Sequence, residues 1–331
     1  MRIALDAMGG DHAPAEVVAG ALGAAPDIQG NIILVGDPSR IEACAGGPLP
    51  GNVDIHPASE VVGMHEKPTE ALRKKKDSSL AVAVRLVKEG HADAMVSAGN
   101  TGAVTVGALL SWRQIDGVHR PAIASVMPSH HGGFLLLDAG ASPDVDPVHL
   151  LEFALMGRAY GQKVMGRADP SVHLLNIGEE PGKGNAFAKQ AHELMSGHSW
   201  FAGNIEGKDM FRKSCDVVVC DAFVGNIVLK TAEGVSQFIM DEIKAAIPSG
   251  PARLAFLPLK KALAPLRKKV DYSEYGGSPL LGLNGMCIIC HGRSNAKAIT
   301  NAVKIAATAV GNELVPAIRA AFERERKLKD A

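Results

Sequence analysis

Short motifs rich in glycine, aspartate and asparagine recur along this 331-residue sequence, and motifs of this kind can hold an anion against the backbone. Gly9–Pro14 follows the apolar run Arg2–Asp6 and precedes a helical pattern, and Ser97–Gly102 repeats this arrangement. Glycine lets a ligand approach the backbone closely, and free N–H groups at the start of a helix bind phosphate. The first group of candidate binding residues is therefore Gly9, Gly10, Asp11, His12, Ser97, Asn100 and Thr101.

Four further motifs of similar composition follow other apolar runs. Asp138–Gly140 and Asp221–Gly225 begin with Asp-Ala, as Asp6–Gly9 does, and small polar residues occupy Asn176–Gly178 and Gly203–Gly207. A single motif of this kind is more often only a helix cap or a tight turn. Six together indicate a polar cleft, because open α/β sheets bind ligands at the carboxyl ends of their strands.

Lys183 lies in a glycine-containing loop, Glu179–Asn185, after another apolar run. The loop departs from the nucleotide P-loop at two positions, because no glycine lies five residues before Gly182 and Gly184 replaces the serine or threonine. Lys183 could still bind an anion; the alternative is a solvated loop lysine.

The sequence contains no recognised metal or nucleotide motif, so neither a metal nor a cofactor is expected. Cys287–His291 matches the haem-attachment pattern, but its cysteines lie in an apolar run and are better explained as core residues. The pair His130–His131 is better explained as loop surface.

Two segments carry concentrated positive charge. Arg73–Lys76 precedes a helical pattern and is either a solvated face or a contact for an acidic partner. Ile243–Val270 contains seven cations, no acidic residue and interleaved leucines. A basic amphipathic segment of this type can lie on an anionic membrane or receive an acidic protein, and it can equally be a helical hairpin that packs on a second subunit.

Composition narrows the class of protein. The 35 Lys and Arg residues balance 35 Asp and Glu residues, and aromatic residues make up only 4%. Nucleic acid is therefore not expected as a partner, since such proteins usually have a basic excess and stacking aromatics. A secretory signal is not recognisable after Met1, and five scattered cysteines suit a reducing compartment, so a cytoplasmic location is expected.

Short apolar runs alternate with amphipathic helical patterns along the whole chain, which predicts a largely parallel sheet with helices on both faces. Val17 and Ala21 share one helical face, and Ile227, Val235 and Phe238 share another. No low-complexity linker divides the chain, so residues 1–331 are predicted to form a single domain. The ten strand candidates are Arg2–Asp6, Asn31–Val35, Val53–His56, Ala94–Ser97, Ala122–Met127, Phe134–Asp138, Val172–Ile177, Trp200–Asn204, Asp216–Asp221 and Met286–His291.

The motifs resemble those of the bacterial phosphate acyltransferase family of phospholipid synthesis, and the likeness runs from Met1 to beyond Asn301. The segments that carry it are Asp6–Pro14, Ser97–Ala103, Asn204–Gly207, Phe223–Asn226, Tyr272–Gly277, Leu280–Gly285 and His291–Gly292. That family is similar in fold to isocitrate and isopropylmalate dehydrogenases and to phosphotransacetylases. The resemblance thus implies a three-layer α/β/α fold with one mixed sheet of about ten strands.

The resemblance also implies a reaction, the transfer of a long-chain acyl group from acyl-carrier protein to inorganic phosphate. The acyl-phosphate product then feeds a membrane glycerol-3-phosphate acyltransferase. A homodimer without metal or cofactor is implied, associated peripherally with the membrane, and residues 243–275 form its basic amphipathic helical element. Phosphate dianion is itself a nucleophile and a thiolate leaves readily, so no serine or cysteine nucleophile is needed. Acyl-carrier protein is acidic, which gives the local basic segments a use.

Role assignments follow from the resemblance as hypotheses. Lys183, His12 and His291 are the candidate catalytic residues, with Lys183 neutralising phosphate or the developing oxyanion. The glycine motifs of the first group would shape the phosphate end. The residues predicted to line the rest of the cleft are Asn204, Glu206, Asp221, Asn226 and His291.

Two positions depart from the family pattern, and two other functions remain open. Ala222 stands where the family usually has glycine, and Arg293 stands where it often has a small residue.

An NAD-dependent dehydrogenase of the isopropylmalate type would share the architecture. A non-catalytic basic docking protein for acyl-carrier protein or membrane would need only the segment Ile243–Val270.

Overall fold

The fold was analysed in a computed structural model that describes residues 1–246, 263, 265 and 272–329. Within these residues, eleven strands form one mixed sheet. The strands are β1 (Arg2–Asp6), β2 (Asn31–Gly36), β3 (Val53–Pro57), β4 (Ala94–Ser97), β5 (Ala122–Met127), β6 (Phe134–Leu137), β7 (Val172–Asn176), β8 (Phe201–Glu206), β9 (Val217–Val219), β10 (Ser278–Leu281) and β11 (Met286–Ile289). The helices are α1 (Ala15–Ala24), α2 (Pro38–Ala45), α3 (Pro68–Lys74), α4 (Ser79–Lys88), α5 (Thr101–Trp112), α6 (Pro147–Lys163), α7 (Ala186–Ser196), α8 (Ala222–Ala245), α9 (Ala296–Gly311) and α10 (Leu314–Lys329).

The sheet consists of two parallel halves that run in opposite directions. Its strand order is β3-β2-β1-β4-β11-β10-β5-β6-β9-β7-β8. Strands β3, β2, β1, β4 and β11 are parallel to one another, as are β6, β9, β7 and β8. The steps from β11 to β10, from β10 to β5 and from β5 to β6 are all antiparallel. The strands of the two halves therefore end at opposite edges of the sheet.

Apolar side chains on alternate positions of the strands build a core on each face. In β1, Ile3 and Leu5 belong to one buried cluster and Ala4 belongs to another. Helices α1 and α9 pack closely on one side, because a methyl group on Gly20 would lie 2.5 Å from Cβ of Ile299. Helices on both faces confirm the predicted three-layer α/β/α architecture.

The expectation of about ten strands needs one addition, because the sequence analysis did not identify β10. This strand has only four residues and contains Pro279, a residue that argues against a central strand. It is nevertheless paired on both sides, with Pro279 opposite Ile288 of β11 and Leu280 opposite Ile123 of β5. A hairpin formed by β10 and β11 thus inserts into the middle of the sheet.

The apolar face of helix α8 is exposed in the single chain. Phe238 and Ile239 are exposed, as are Phe223, Ile227 and Val235.

Most of the predicted basic element 243–275 lies outside the described residues, and its described ends are the last turn of α8 and a short 3₁₀ helix at Tyr272–Tyr275. Among the described helices, none has both the length and the apolar character needed to cross a membrane.

Candidate active site

A buried carboxylate joins the first two glycine motifs at the ends of β1 and β4. Asp6 accepts hydrogen bonds from the hydroxyl groups of Ser79 at 2.5 Å and Ser97 at 2.7 Å. Burial raises the pKa of Asp6, and the hydrogen bonds from the two serines partly oppose this shift. Ser97 was a candidate from the sequence; Ser79, from the start of α4, was not.

The two glycine loops touch each other directly above this carboxylate. A methyl group on Gly9 would lie 2.4 Å from Oδ2 of Asp6 and 2.9 Å from the backbone N of Gly99. Gly99 N in turn donates a hydrogen bond to the hydroxyl of Ser97 at 3.0 Å. Only a residue without a side chain fits at position 9, so the surface formed here is backbone. We call this pair of loops, Gly9–His12 and Ser97–Thr101, the glycine cradle.

The far side of the glycine cradle is formed by His291 and Gly292, which follow β11. The backbone N of Asp11 donates to the carbonyl of Gly292 at 2.8 Å. Gly10 has a φ of +113°, which favours glycine, and a methyl group there would lie 3.2 Å from that same carbonyl oxygen. The structure therefore brings together His291 and Asp11, and with them the adjacent exposed His12.

The electrostatics of His291 identify further residues at this corner. Partial burial lowers the pKa of His291, and the charges of Lys230 and Arg293 lower it further, whereas Glu233 and Asp11 raise it. Lys230 donates to Glu233 at 2.8 Å, and both lie on α8. Lys230 and Glu233 could not be predicted from the sequence, because nothing in the local pattern indicates that α8 passes near His291. Arg293, one of the two departures from the family pattern, adds positive charge beside the imidazole.

Asn100 has two structural roles in the glycine cradle. Its Oδ1 accepts from the backbone N of Ala103 at 3.0 Å and so caps α5, as its residue type predicts. Its Nδ2 donates to the carbonyls of Met64 at 2.9 Å and Glu66 at 3.0 Å. Asn100 thereby fixes the segment before α3 next to the cradle. Thr101, the exposed first residue of α5, has a backbone N–H without a partner inside the helix.

A second group of candidates lies at the opposite edge of the sheet, after β7 and β8. Asn204 is buried, and its Nδ2 donates to the carbonyl of Glu180 at 2.9 Å. Glu206 pairs with Lys208 at 2.8 Å. Lys183 is exposed, and its carbonyl accepts from Asn176 at 3.1 Å. Asn204 therefore anchors the loop that presents Lys183.

Asp221 and Asn226 lie at the same edge as Lys183, where α8 begins. Asp221 accepts from the backbone N of Val224 at 2.9 Å and caps α8. It lines a cavity of about 400 Å³ together with Asp146 and Asn185, the residue that caps α7. Asn226 is exposed, and its Oδ1 lies 3.9 Å from the position of a methyl group on Gly140. These residues form a polar pocket next to the Lys183 loop.

Asp138, at the end of β6, organises the loop beside this pocket. Its carboxylate accepts from the backbone N–H groups of Ile123, Gly140, Ala141 and Ser142 at 2.8–2.9 Å. Burial nevertheless raises the pKa of Asp138 to about 6. The arrangement parallels that of Asp6, in which a buried aspartate at a strand end holds a loop. Ala222, the other departure from the family pattern, is buried in this region.

The sequence motifs predict one cleft, but the structure forms two groups of candidate residues within the chain. The glycine cradle and His291 lie at one edge of the sheet, whereas Lys183, Asn204, Glu206, Asp221 and Asn226 lie at the other. The physical reason is the insertion of the β10 hairpin and β5, which reverses the second half of the sheet. Helix α8 links the two edges, because it begins at one and passes His291 at the other.

Two side-chain groups in the described residues have the spacing of metal ligands. In the first, His119, His149 and Glu152 come close together, but Nδ1 of His149 already accepts from the backbone N of Asp146 at 2.8 Å. A histidine that binds a metal usually donates through its second ring nitrogen, so His149 is a poor ligand in this state. The second group consists of the acidic residues Glu179, Glu206 and Asp209, which pair with Lys208 and Lys213.

The sequence profile of a family described as fatty acid synthesis protein matches residues 1–316. A phosphate acyltransferase from Desulfitobacterium hafniense is 49% identical over 328 residues, which cover 98% of each chain. A phosphate acyltransferase from Heliobacterium modesticaldum is 51% identical over 327 residues, which cover 96% of this chain and 97% of that one.

The fold is similar to that of solved phosphotransacetylases. The enzyme from Streptococcus pyogenes aligns with a TM-score of 0.65 at 19% identity, covering 94% of both chains. A second, from Staphylococcus aureus, aligns with a TM-score of 0.60 at 16% identity and the same coverage. At these identities the likeness concerns the fold alone, and it agrees with the similarity expected from the sequence.

Proposed function

The chain belongs to the fatty acid synthesis protein family, in which its close relatives are phosphate acyltransferases, and we propose that the glycine cradle is where it binds inorganic phosphate. The enzyme transfers a fatty acyl group to inorganic phosphate and so provides acyl-phosphate for phospholipid synthesis. Its substrates are phosphate and an acyl-carrier protein that bears the acyl group as a thioester.

The observation that carries the phosphate site is the direct contact of Gly9 with Gly99 above the Asp6 carboxylate. This contact leaves backbone, not side chains, at the ends of β1 and β4. The first N–H groups of α5, at Thr101 and Gly102, have no partner inside the helix and are suited to an anion. His12, His291 and Lys230 surround the same corner and add polar or cationic side chains.

The reaction requires little covalent chemistry from the protein. An oxygen of the phosphate dianion attacks the thioester carbonyl, a C–O bond forms, and the C–S bond breaks with the electron pair leaving on sulfur. The thiol of the carrier has a pKa of about 8–9, so its thiolate is a good leaving group and needs no strong general acid. The protein therefore contributes mainly by positioning the two substrates and stabilising the oxyanion. Imidazole N–H groups of His12 and His291 are suited to donate to that oxyanion or to phosphate.

Lys183 lies at the edge opposite the glycine cradle, so within one chain it is proposed to bind an anionic group of the acyl substrate at the pocket that contains Asp221, and not the phosphate held in the cradle. Its exposure leaves the ammonium available for an anionic group, and Asn204 and Asn176 hold its loop. Lys183→Ala tests this role, with Lys189→Ala on α7 as the control for loss of an exposed lysine. A folded Lys183→Ala protein with near-native turnover would remove Lys183 from the catalytic residues.

We also propose that the enzyme is a homodimer that forms through the exposed face of α8. Six large apolar residues on one side of this helix are exposed: Phe223, Val224, Ile227, Val235, Phe238 and Ile239. Several large apolar residues exposed along one side of a helix are typical of a surface that a partner covers. Phe238→Glu is expected to yield monomer in sedimentation, and the matched change Gln237→Glu on the same turn is expected to leave the dimer intact.

A cytoplasmic location with peripheral contact to the membrane completes the proposal. Its support is the sequence of the basic element 243–275, which would meet anionic lipid or the membrane glycerol-3-phosphate acyltransferase. Co-sedimentation of the full chain with anionic and neutral vesicles tests this contact. Equal recovery with both kinds of vesicle would exclude an electrostatic membrane site.

The first experiment for the function as a whole is phosphate-dependent release of free thiol from palmitoyl-acyl-carrier protein, with the product identified by mass. Formation of palmitoyl-phosphate is the expected result. Thiol release in the absence of phosphate would indicate a thioesterase, and reduction of NAD by a hydroxy acid would indicate the dehydrogenase alternative.

A further inference from the structure

We propose that helix α3 and the residues that follow it, Lys67–Lys76, form the surface on which the acidic acyl-carrier protein docks. This inference rests on the proposed function and adds to it the place where the protein substrate binds. From the sequence, Arg73–Lys76 is either a solvated face or a contact for an acidic partner. The position of α3 in the structure favours the second.

The segment that leads into α3 is fixed to the glycine cradle. Asn100 donates to the carbonyls of Met64 and Glu66, as described above, and so holds this segment beside the start of α5. A methyl group on Gly292 would lie 2.7 Å from Cε of Met64. Met64 therefore lies between the α3 side of the cradle and the His291 corner.

Helix α3 itself packs along α5, which begins at the glycine cradle. A methyl group on Gly102 would lie 2.8 Å from Cγ of Pro68, the first residue of α3. A methyl group on Gly107 would lie 3.5 Å from Cδ1 of Leu72. Ala71 is buried, so α3 has one face against the protein and the other towards solvent. A partner bound to the outer face of α3 would lie directly beside the proposed phosphate site.

The outer face of α3 is strongly cationic. Residues 67–76 contain five cationic side chains and one carboxylate, Glu70; because Lys75 is paired with Glu66, four cations remain against Glu70, a surplus of three positive charges. Glu70 lies 3.7 Å from Lys67 and 3.6 Å from Lys74, separations that give little stabilisation at an exposed surface. Arg73 and Lys76 are exposed and form no salt bridge among the described residues.

The positive charge of residues 67–76 is a feature of this segment and not of the protein, since the whole chain has a net charge of zero. Lys75, by contrast, is partly buried and already paired, because it binds Glu66 and donates to the carbonyl of Val61 at 2.7 Å. Arg85 on α4 lies beside this segment, where its guanidinium donates to the carbonyl of Lys76 at 3.4 Å and its charge acts on the exposed carboxylate of Asp77. A patch of this type steers an acidic protein and fixes its orientation more than it adds affinity. Its charge complements the acidic carrier, and its place suits delivery of the thioester to the cradle.

The test compares the wild type with Arg73→Gln/Lys76→Gln, using the full chain. The matched control is Arg324→Gln/Lys327→Gln on α10, which removes two exposed cations from a helix packed against α6 in the other half of the sheet. We expect KM for palmitoyl-acyl-carrier protein to rise about 5- to 10-fold in the α3 variant, with a weaker dependence on salt. Its kcat and its KM for phosphate are expected to stay within about twofold of the wild type, and the control is expected to show no change.

Two further measurements separate the possible explanations. The charge-preserving variant Arg73→Lys/Lys76→Arg is expected to retain the wild-type KM; a raised KM there would mean that packing, not charge, produced the effect. Direct titration with holo-carrier protein, which needs no turnover, is expected to show the same loss of affinity in the α3 variant. Absence of turnover with carrier binding still dependent on α3 would refute the proposed function alone.

Three results would overturn the docking proposal. One is an α3 variant that binds carrier protein and turns over acyl-carrier protein like the wild type. Another is equal weakening in the α10 control, which would indicate only a loss of general positive charge. The last is reduced binding to anionic phospholipid vesicles with unchanged affinity for the carrier, which would make the patch a membrane contact.

Discussion

Replacing Gly9 with alanine is the most direct test of the glycine cradle, because the structure gives the size of the disturbance. The new methyl group would lie 2.4 Å from Oδ2 of Asp6 and 2.9 Å from the backbone N of Gly99. The Asp6 carboxylate cannot easily move away, since Ser79 and Ser97 hold it with short hydrogen bonds. The two loops of the cradle must therefore separate by roughly 1 Å to restore ordinary contact distances.

This separation has a predicted cost in stability and a larger one in activity. Insertion of a methyl group into a well-packed site typically destabilises by about 1–3 kcal/mol. A displacement of about 1 Å in a positioning element can reduce the rate by a factor of about 100. We therefore expect Gly9→Ala to fold, to lose about 1–3 kcal/mol of unfolding free energy and to lose about 99% of its turnover.

The assay is phosphate-dependent thiol release, measured beside urea unfolding of the same preparation. Gly51→Ala is the matched control, because no atom lies within 4 Å of a methyl group at that position, in the loop before β3 and outside both groups of candidate residues. The control is expected to retain both activity and stability. Turnover in Gly9→Ala within twofold of the wild type, with an unchanged KM for phosphate, would show that the loops at β1 and β4 do not bind phosphate.

Three further predictions concern other parts of the two edges. Asn100→Ala removes the α5 cap and the bonds to the segment before α3, so we expect a loss of about 1–2 kcal/mol in urea unfolding and faster proteolysis of that segment; unchanged values would contradict the role of Asn100. Lys230→Gln removes a cation that lowers the pKa of His291, so the acidic limb of the profile of kcat/KM should move to higher pH, whereas Lys208→Gln should leave it unmoved. The folded pKa of Asp138, about 6, lies above its unfolded value of 3.8, so its contribution to stability is full below about pH 4 and is lost as pH rises through 6. The unfolding free energy of the wild type relative to Asp138→Asn should then fall by up to about 3 kcal/mol between pH 4 and 7.5; an increase over that range would contradict this assignment.

The sequence allowed most of the sheet to be predicted, because short apolar runs separated by helical patterns indicate strands reliably when the strands are parallel and buried. Strand β10 escaped, since it is only four residues long and contains Pro279. The missing strand had a larger consequence than its length suggests. With β5, it introduces the three antiparallel steps that reverse the second half of the sheet, and no local pattern indicates that reversal.

The same limit applies to the candidate site. Glycine and cap residues such as Gly9 and Asn100 can be recognised locally, because a loop or helix start demands those residue types. Ser79 could not be recognised, since it contacts Asp6 across 73 positions of the chain. Lys230 was missed for a related reason, because its electrostatic effect on His291 depends on the path of α8 across the sheet.

The length of α8 explains how one helix can contribute to both edges. It starts at Asp221, beside the polar pocket at the end of β9, and Lys230 lies nine residues further along. A helix rises 1.5 Å per residue, so Lys230 lies about 14 Å from Asp221 along the helix axis. A strand of four or five residues, at about 3.3 Å each, has a similar length. A helix that returns across the sheet from one edge therefore delivers its third turn to the other edge. This path brings the charge of Lys230 near enough to His291 to lower the pKa of the imidazole, so a residue from the second half of the sheet acts on the His291 corner within a single chain.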